Sequence, residues 1–378
     1  MQNKEKKIFI VAGETSGDTH SSNLVKHIKE ILPTIKFSGI GGSYLQNEGV
    51  DLIHNYEEIN YIGFSSVIKN LPKIKKVLAD TVNYIKKTGP DVIILVDFPG
   101  FNLKLAEKIR KFYDGKIVYY ISPQLWAWHK SRIKKVKQFI DRMLVVFPFE
   151  VDFYRKENIK VDFVGHPLIE RIDDYLKKNK RVESTKFRIG LLPGSRMEEV
   201  QKILPLLADV ADKFQKEIGA EINVLCPDNI KIDIYKKIIR DRNFNLIRSL
   251  TGDNSNYKLI QNSELLFTKS GTSTLECALI GSPFCVVYNT TPFNYFIGKK
   301  LIKVDHIAIV NILAGKKIVK EFIQKDFNEN NLHFEGMKIL TNENYRNQMI
   351  DSFKNLRNIL TQSQPTVNAA DIICSYLK

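Results

Sequence analysis

Asp97 is the residue whose position in this sequence most directly suggests chemistry. It ends the most hydrophobic segment of the chain, Val92–Val96, and Phe98-Pro99-Gly100 follows it. An ionised carboxylate buried without a partner is unfavourable by several kcal/mol, so Asp97 must face a polar crevice or a partner. A general base at the edge of a binding site fits this position. A helix cap or an Asx turn before Pro99 is the alternative.

Small and polar residues also follow the first apolar segment, Ile8–Ala12. Gly13-Glu14-Thr15-Ser16-Gly17-Asp18 would let the backbone approach a polar ligand closely, and Gly39-Ile40-Gly41-Gly42 repeats the theme after the next segment. A tight turn with a Ser or Asp cap explains the first run equally well. The spacing is not GxGxxG, so the nicotinamide-binding fingerprint is absent.

The second half of the chain has two similar turns, Leu192-Pro193-Gly194-Ser195-Arg196 and Ser270-Gly271-Thr272-Ser273-Thr274-Leu275-Glu276. Two capping boxes, Ser195 with Glu198 and Ser273 with Glu276, are the simplest explanation. They leave Arg196 unexplained, because a cation in a first helical turn opposes the helix dipole unless an anion lies beside it. We expect that anion to be a ligand phosphate or diphosphate. Two such turns favour a nucleotide diphosphate, with Glu276 placed to bind ribose hydroxyls.

Two motifs of related chemistries are missing. The sequence has no GxxxxGK(S/T) phosphate loop, which argues against a phosphoryl-transfer NTPase. It also has no Asp-x-Asp pair, the usual carboxylate clamp for a metal-bound nucleotide sugar. We therefore expect neither a metal ion nor a separate cofactor.

Both tryptophans of the chain lie in one segment, Ser122-Pro123-Gln124-Leu125-Trp126-Ala127-Trp128. A tryptophan in a loop after a strand either stacks on a sugar or packs into the core. Two of them within three positions favour a binding surface. His129, Lys130 and Arg132 extend the segment with positive charge.

The segment Gly63–Lys87 has the pattern of a basic amphipathic helix. Such a helix can lie on an anionic membrane surface, and packing its apolar stripe on the domain with solvated lysines is the equally weighted alternative. The residues expected at the membrane surface are Val67, Ile68, Lys69, Leu71, Lys73 and Ile74.

Alternation of short apolar runs with helix-length amphipathic segments positions these residues. The predicted strands are Ile8–Ala12, Phe37–Ile40, Val92–Val96, Ile117–Ile121, Met143–Phe147 and Val161–Val164, then Ile189–Leu192, Ile222–Cys226, Phe244–Ile247, Leu265–Phe267 and Phe284–Tyr288. Predicted helices include Ser22–Leu32, Leu103–Phe112 and Ala369–Leu377, and the polar stretch Tyr175–Lys186 is predicted to be a linker.

Two such series predict an α/β protein of two doubly wound, Rossmann-like domains facing a central cleft. We place the first domain at 1–168 and the second at 169–345, while the pattern alone does not show which domain the helices of 346–378 pack on. Ligands should bind beyond the carboxyl ends of the strands.

Composition agrees with a folded α/β protein. The 378 residues are 43% hydrophobic and 26% charged, which excludes disordered, collagen-like and coiled-coil classes. A formal charge of +15 favours an anionic partner. The four cysteines are scattered, which argues against disulfides and zinc and favours a reducing cytoplasm. We expect neither a signal peptide nor a membrane-spanning helix.

Taken together, the motifs resemble those of lipid-A-disaccharide synthases, over residues from about Ile8 to about Gln324. The matching segments are Ala12–Asp18, Ser122–Trp128, Phe147-Pro148-Phe149-Glu150, Val164-Gly165-His166-Pro167-Leu168, Leu192–Arg196 and Ser270–Glu276. The resemblance implies a GT-B type fold and an inverting, metal-independent transfer. In that architecture, domain 1–168 would bind the acceptor, domain 169–345 would bind the UDP-sugar donor, and the helices of 346–378 would return to the first domain. The implied reaction joins UDP-2,3-diacylglucosamine to 2,3-diacylglucosamine 1-phosphate, giving a β-1,6-linked disaccharide and UDP.

The resemblance also implies roles for individual residues. Asp97 would be the catalytic residue and Arg196 would belong to the donor site. The remaining donor-site residues would be Gly194, Ser195, Ser270, Gly271, Thr272, Glu276, Asn311, Glu321 and Gln324. The acceptor side would include Glu14, Ser16, Gly17, Asp18, Asn102, Gln124 and Trp126. Gly100 stands where relatives carry an acidic residue, which leaves the acceptor contacts open.

The implied partners are both lipid sugars and an anionic surface, the cytoplasmic face of a Gram-negative inner membrane. A homodimer is left open, and no nucleic acid is expected because no nucleic-acid-binding module is present. The alternatives are a UDP-GlcNAc epimerase or a peptidoglycan-type glycosyltransferase of the same fold, neither of which accounts well for the tryptophan segment or the basic helix.

Overall fold

The chain folds into two compact units. A computed structural model describes residues 5–61, 68–123, 125–126, 132–250, 253–291, 306–361 and 365–377. The first unit comprises Met1–Pro167 and Leu360–Lys378, and the second comprises Leu168–Ile359. Each unit is a parallel sheet with helices between successive strands, as the alternating pattern predicts.

The sheet of the first unit has the order β3-β2-β1-β4-β5-β6-β7, and every pairing is parallel. This order reverses direction between β1 and β4, where doubly wound sheets bind ligands. The strands are β1 (Lys7–Ala12), β2 (Lys36–Gly41), β3 (Asp51–Asn55), β4 (Val92–Val96), β5 (Lys116–Tyr120), β6 (Arg142–Val145) and β7 (Val161–Phe163). Its helices are α1 (Thr15–Ile31), α2 (Ser43–Asn47), α3 (Leu71–Thr88), α4 (Pro99–Ile109), α5 (Ile133–Phe139) and α6 (Pro148–Arg155).

The second unit repeats the arrangement, with the sheet order β10-β9-β8-β11-β12-β13 and parallel pairing throughout. The strands are β8 (Arg188–Leu192), β9 (Glu221–Pro227), β10 (Asn245–Ser249), β11 (Leu265–Lys269), β12 (Phe284–Tyr288) and β13 (Glu321–Ile323). The helices are α7 (Leu168–Lys178), α8 (Met197–Ile218), α9 (Ile232–Ile239), α10 (Ser255–Gln261), α11 (Thr272–Ile280), α12 (Ile309–Ala314), α13 (Glu329–Thr341) and α14 (Glu343–Leu360).

The last helix, α15 (Pro365–Ser375), packs against α1 in the first unit. Its apolar residues Ala369, Ala370 and Ile373 are buried in the same core cluster as β1 and α1. The chain therefore crosses between units at Pro167/Leu168 and again at Ile359/Leu360. The sequence predicts these boundaries at 168/169 and 345/346; the second differs from the structure, because nearly all of α14 lies in the second unit.

Every predicted strand is present, and the differences lie at edges and ends. Two of the four edge strands, β3 and β13, were missed. Helix α1 begins at Thr15 rather than at Ser22, which extends it back through the predicted turn. Part of the predicted linker, Tyr175–Lys178, is the last turn of α7, because Tyr175 packs edge-on against Tyr257.

Candidate active site

Asp97 occupies a strained turn between β4 and α4. Its φ is 41° and that of Phe98 is 46°, so two consecutive non-glycine residues are left-handed. Each such residue is unfavourable by about 1–2 kcal/mol, and strain of this kind persists only where the surroundings impose it. Here the Asp97 carbonyl accepts hydrogen bonds from Asn102 Nδ2 at 2.7 Å and from the Tyr119 hydroxyl. These donors hold the turn from the inside of the domain.

The environment of the Asp97 carboxyl favours its protonated form. Burial, and secondarily the negative charge of Glu14, raises the pKa of Asp97 from 3.8 to about 7. A carboxylate with such a pKa is a stronger base than an ordinary aspartate, and a pKa near the working pH suits general-base catalysis. The predicted position of Asp97 at the end of a fully buried strand is confirmed.

Glu14 lies in the neighbouring turn, between β1 and α1. Ser16 Oγ donates a hydrogen bond to Glu14 Oε1 at 2.6 Å. Gly13 makes the close approach of the two turns possible, because a Cβ at this position would overlap the ring of Phe98. Glu14, Ser16 and Asp97 therefore lie at the carboxyl ends of the adjacent strands β1 and β4.

Asp18 and Asn102 have their polar atoms directed into the fold. The Asp18 carboxylate accepts backbone hydrogen bonds from Gly42, Tyr44 and Leu45 at 2.8, 3.0 and 3.3 Å, so it occupies the N-terminus of α2. Burial nevertheless raises the pKa of Asp18. Asn102 is fully buried and bonds the carbonyls of Val96 and Asp97. A ligand contact for either residue remains a prediction, as it does for buried Gly17.

Trp126 belongs to a buried polar group that sequence reasoning missed. Its Nε1 donates to Glu150 Oε1 at 3.2 Å, and Phe147 N–H donates to Glu150 Oε2 at 3.1 Å. Burial raises the pKa of the completely buried Glu150 to about 8. Ser122, at the start of the tryptophan segment, bonds the Tyr154 hydroxyl at 2.7 Å. The predicted residue Gln124 lies outside the described residues.

In the second unit, the turn after β8 differs from the predicted capping box. Helix α8 begins at Met197 with Arg196 as its N-cap residue, and no side chain caps it, so the Ser195–Glu198 box is wrong. Arg196 Nη1 lies 3.0 Å from Glu199 Oε1. The anion beside Arg196 in this structure is therefore a carboxylate of the chain. Gly194 has a φ of 121°, which a residue with a side chain would adopt only with strain.

Lys269 is a second cation at this edge of the sheet. It ends β11, the strand next to β8, and its Nζ lies 2.8 Å from the same Glu199 Oε1. Sequence reasoning missed both Lys269 and Glu199. The signal was available for Lys269, which immediately precedes Ser270 at the end of a predicted strand.

The turn from β11 into α11 also lacks the predicted capping box. Helix α11 begins at Thr272 with Gly271 as its N-cap residue, and no side chain caps it. Ser273 instead bonds Thr268 Oγ1 at 2.8 Å, and Ser270 Oγ donates to the Ile307 carbonyl at 3.1 Å. The Ser273–Glu276 box is therefore wrong, and the backbone N–H groups of the first turn of α11 are left uncapped by side chains.

Glu276 points to a group of residues on neighbouring helices. Burial raises its pKa, while the positive charge of Arg171 and a hydrogen bond from Tyr257 partly offset that effect. Arg171 in turn lies over the Tyr257 ring, 5.6 Å from its centre. The predicted contact between Glu276 and a ribose remains a prediction.

Asn311, Glu321 and Gln324 hold the backbone of the last βα segment. The buried Asn311 amide donates to the Val319 carbonyl and accepts from its N–H. Glu321 accepts from the Ala308 N–H and from Asn311 Nδ2, at 3.0 and 2.8 Å. Gln324 bonds both backbone groups of Thr290. These contacts hold the local backbone, and a contribution of the three residues to a donor site remains a prediction.

The basic amphipathic segment has a buried part and a solvent-exposed part. Val77 and Leu78 of α3 are buried in the domain core, and Ile74 packs partly against it. Lys73 is exposed, and Ile68, before the helix, is 55% exposed. Lys69 is also exposed and Leu71 is half-buried, while Val67 lies outside the described residues. The apolar stripe is thus mainly core, and only its N-terminal end faces solvent.

The described residues contain neither a cluster of metal ligands nor a membrane-spanning helix. In residues 5–61 and the other described ranges, no group of three or more His, Cys, Asp or Glu side chains is arranged to hold a metal ion. Within the same ranges, no helix is both long enough and apolar enough to cross a membrane.

Comparison with known proteins decides the family. A family model described as lipid-A-disaccharide synthetase matches residues 8–372. The chain belongs to the lipid-A-disaccharide synthase family. It is 35% identical to the lipid-A-disaccharide synthase of Nitrosococcus oceani over 358 residues, covering 93% of this chain and 92% of the relative. It is 37% identical to that of Geobacter metallireducens, covering 85% and 84%. As a member of this family, the chain is a glycosyltransferase.

Solved structures support the fold. The structure of S. aureus MnaA with UDP is similar to this chain with a TM-score of 0.67 and 14% identity, covering 99% of this chain and 96% of the other. Identity this low establishes only the shared architecture of two Rossmann-like domains. The alternatives of an epimerase or a peptidoglycan-type transferase are not favoured, because the curated relatives are lipid-A-disaccharide synthases.

Proposed function

We propose that this glycosyltransferase joins UDP-2,3-diacylglucosamine to 2,3-diacylglucosamine 1-phosphate. The products would be the β-1,6-linked disaccharide 1-phosphate and UDP, and no cofactor besides the two substrates takes part. Membership of the lipid-A-disaccharide synthase family supports the reaction. The main structural observation behind the proposed active site concerns Asp97. Its carboxyl lies in a strained turn at the end of a strand and has a pKa of about 7.

In this proposal, Asp97 removes the proton from the acceptor 6-hydroxyl as that oxygen attacks the anomeric carbon. The bond to the UDP oxygen breaks as the new bond forms on the opposite face, so the configuration inverts. The raised pKa helps because a base accepts a proton more readily as its pKa approaches that of the reacting group. Glu14, Ser16 and Trp126, at the ends of β1 and β5, are proposed to bind the acceptor.

The leaving UDP is proposed to bind at the carboxyl edge of the second sheet. The positively charged side chain of Arg196 and the uncapped first turns of α8 and α11 would stabilise the charge that develops on the diphosphate. Gly194, Ser195, Ser270, Gly271 and Thr272 form the backbone of these turns. Glu276 is proposed to bind the ribose.

Asp97→Asn tests the proposal. It should reduce transfer by at least about 1,000-fold, because it removes the base, while UDP binding measured by calorimetry stays within about twofold. Asp91→Asn is the matched control, because Asp91 lies at the other end of β4 and its carboxylate bonds Lys7 N–H at 2.8 Å. Its transfer rate should be unchanged. Undiminished transfer by the Asp97 variant would refute the base assignment.

The pH dependence gives an independent measurement. Because a base must be deprotonated, kcat/KM should increase about tenfold per pH unit below pH 7 and level off above it.

An acceptor that lacks its acyl chains tests whether the substrate is a lipid. Rapid transfer to that acceptor would contradict the lipid assignment.

We further propose that the enzyme is peripheral, with the exposed end of the basic segment on an anionic inner-membrane surface. Ile68, Lys69 and Lys73 provide apolar and positive groups there. Ile68→Ser combined with Lys69→Glu and Lys73→Glu should reduce sedimentation with phosphatidylglycerol vesicles. The control Lys86→Glu/Lys87→Glu changes two exposed lysines at the far end of α3. Equal sedimentation of the two variants would argue against this surface.

A further inference from the structure

Arg196, Glu199 and Lys269 form a compact charged group at the carboxyl edge of the second sheet. Both cations contact the same carboxylate oxygen, Glu199 Oε1, at 3.0 and 2.8 Å. They come from different βα turns, since Arg196 follows β8 and Lys269 ends β11. The two turns are adjacent because β8 and β11 are paired.

The group carries excess positive charge. In the part of the chain that the structure describes, Glu199 is the only carboxylate that forms an ion pair with either cation. One negative charge therefore compensates two positive charges. The side chains of Glu199 and Lys269 are only 17% and 19% exposed, so solvent screens this charge less than at an open surface. Such a group favours an additional anion.

The turn that carries Arg196 packs against the carboxylate that both cations share. A Cβ on Gly194 would overlap Glu199 Oε2, so the turn that carries Arg196 runs directly against this carboxylate. Tyr288, at the end of β12, is close enough for Glu199 and Arg196 to influence its pKa, which burial raises. Lys269 is thus paired beside the Arg196 turn with Glu199, three residues before the start of α11.

We propose that Lys269 is a second cation for the diphosphate of the nucleotide, acting with Arg196. Glu199 orients both side chains, and their remaining N–H groups contact the phosphate oxygens, since an ammonium has three donors and a guanidinium has five. This inference rests on the proposed function, which places UDP at this edge. Lys269 lies one residue outside the segment Ser270–Glu276 that matches the family.

Calorimetric titration of the full chain with UDP and with uridine tests the role of Lys269. Lys269→Met should weaken UDP binding by at least about tenfold, in line with loss of one charged hydrogen bond, and leave uridine binding unchanged. Lys269→Arg should retain most of the affinity for UDP. Lys213→Met is the matched control, because it removes another ion pair of the same unit, with Glu329, on the helix α8. If Lys269→Met fails to fold, Lys269→Gln carries the same expectation.

A fourth variant separates binding from a structural role. Glu199→Gln removes the negative charge but keeps a side-chain oxygen that can accept from and orient both cations, so UDP binding should stay within about threefold or become tighter. Equal losses in Glu199→Gln and Lys269→Met would assign the effect to the ion pair and overturn the inference. Unchanged UDP affinity in Lys269→Met would also overturn it, while the proposed function would stand. Failure of the unaltered protein to bind UDP would instead refute the proposed donor site itself.

Discussion

Replacing Asp97 with asparagine should stabilise the protein at alkaline pH, although it should abolish transfer. The folded state binds a proton at Asp97 up to about pH 7, whereas the unfolded chain loses it near pH 3.8. Stability therefore decreases as the pH rises from about 4 to about 7, because the unfolded state no longer binds the proton that the folded state keeps. Asparagine has no such proton and escapes this loss.

The pKa difference gives the magnitude. Each pKa unit corresponds to about 1.4 kcal/mol. The interval from 3.8 to about 7 therefore lowers the free energy of unfolding by about 4 kcal/mol at pH 8, relative to acid pH. At pH 5 the titration of Asp97 has lowered the free energy of unfolding by only about 1.7 kcal/mol. The advantage of Asp97→Asn should thus be about 2.5 kcal/mol greater at pH 8 than at pH 5. Asp97 is partly exposed to solvent, so this figure is an upper limit.

Equilibrium urea unfolding of both proteins at pH 5 and pH 8 measures the difference. The Asp91→Asn variant, at the opposite end of β4, provides the reference, and no gain in stability at pH 8 is expected for it. An Asp97→Asn advantage that is the same at both pH values would refute the reasoning, because it would show that the carboxyl titrates normally in the folded state.

Three further changes test other contacts. Asp18→Ala leaves three backbone N–H groups of the α2 turn without their acceptor, so the free energy of unfolding at pH 7 should fall by about 2–4 kcal/mol. Asn311→Ala breaks the buried amide contacts to Val319 and should lower it by about 3 kcal/mol. Gly194→Ala should lower UDP affinity on titration by about tenfold or more, since a residue with a side chain is strained at the φ of 121° and would shift the turn that carries Arg196. Urea midpoints or a UDP affinity equal to those of the unaltered protein would contradict the corresponding assignment.

The strands that the sequence predicted best are the central ones. Val92–Val96 and Phe284–Tyr288 have the predicted bounds, because central parallel strands are buried on both faces and consist of apolar residues. The edge strand Asp51–Asn55 has no fully buried residue and therefore no apolar run to detect. Glu321–Ile323 has only three residues, of which one is fully buried.

Polar residues that are buried by packing were the main source of error. The first turns of α1 contain Gly17, Asp18 and Ser21, which are buried although they are small or polar. Hydrophobic periodicity cannot reveal such a helix, since it assumes that the buried side is apolar. The partner of Arg196 was also hidden, because Glu199 was three residues away in the sequence and the spacing alone did not indicate the ion pair.

The position of the candidate residues at strand ends could be predicted, but the contacts among them could not. Asp97, Glu14 and Arg196 were chosen as candidates because each follows a predicted strand, and ligands bind at that edge of such sheets. The left-handed conformation of Asp97 and Phe98 depends on donors from Asn102 and Tyr119, which converge only in the fold. No local pattern in the sequence specifies that convergence.

The return of helix α15 to the first unit has a consequence for biosynthesis. The apolar residues of α15 complete a core whose other members are made more than 200 residues earlier. On the ribosome, the core of the first unit therefore stays incomplete, with the apolar side of α1 uncovered, until the entire second unit has been translated. Nascent chains halted after Pro167 should consequently be held by chaperones, whereas grafting residues 360–377 onto that stretch should release a compact, independently folding lobe.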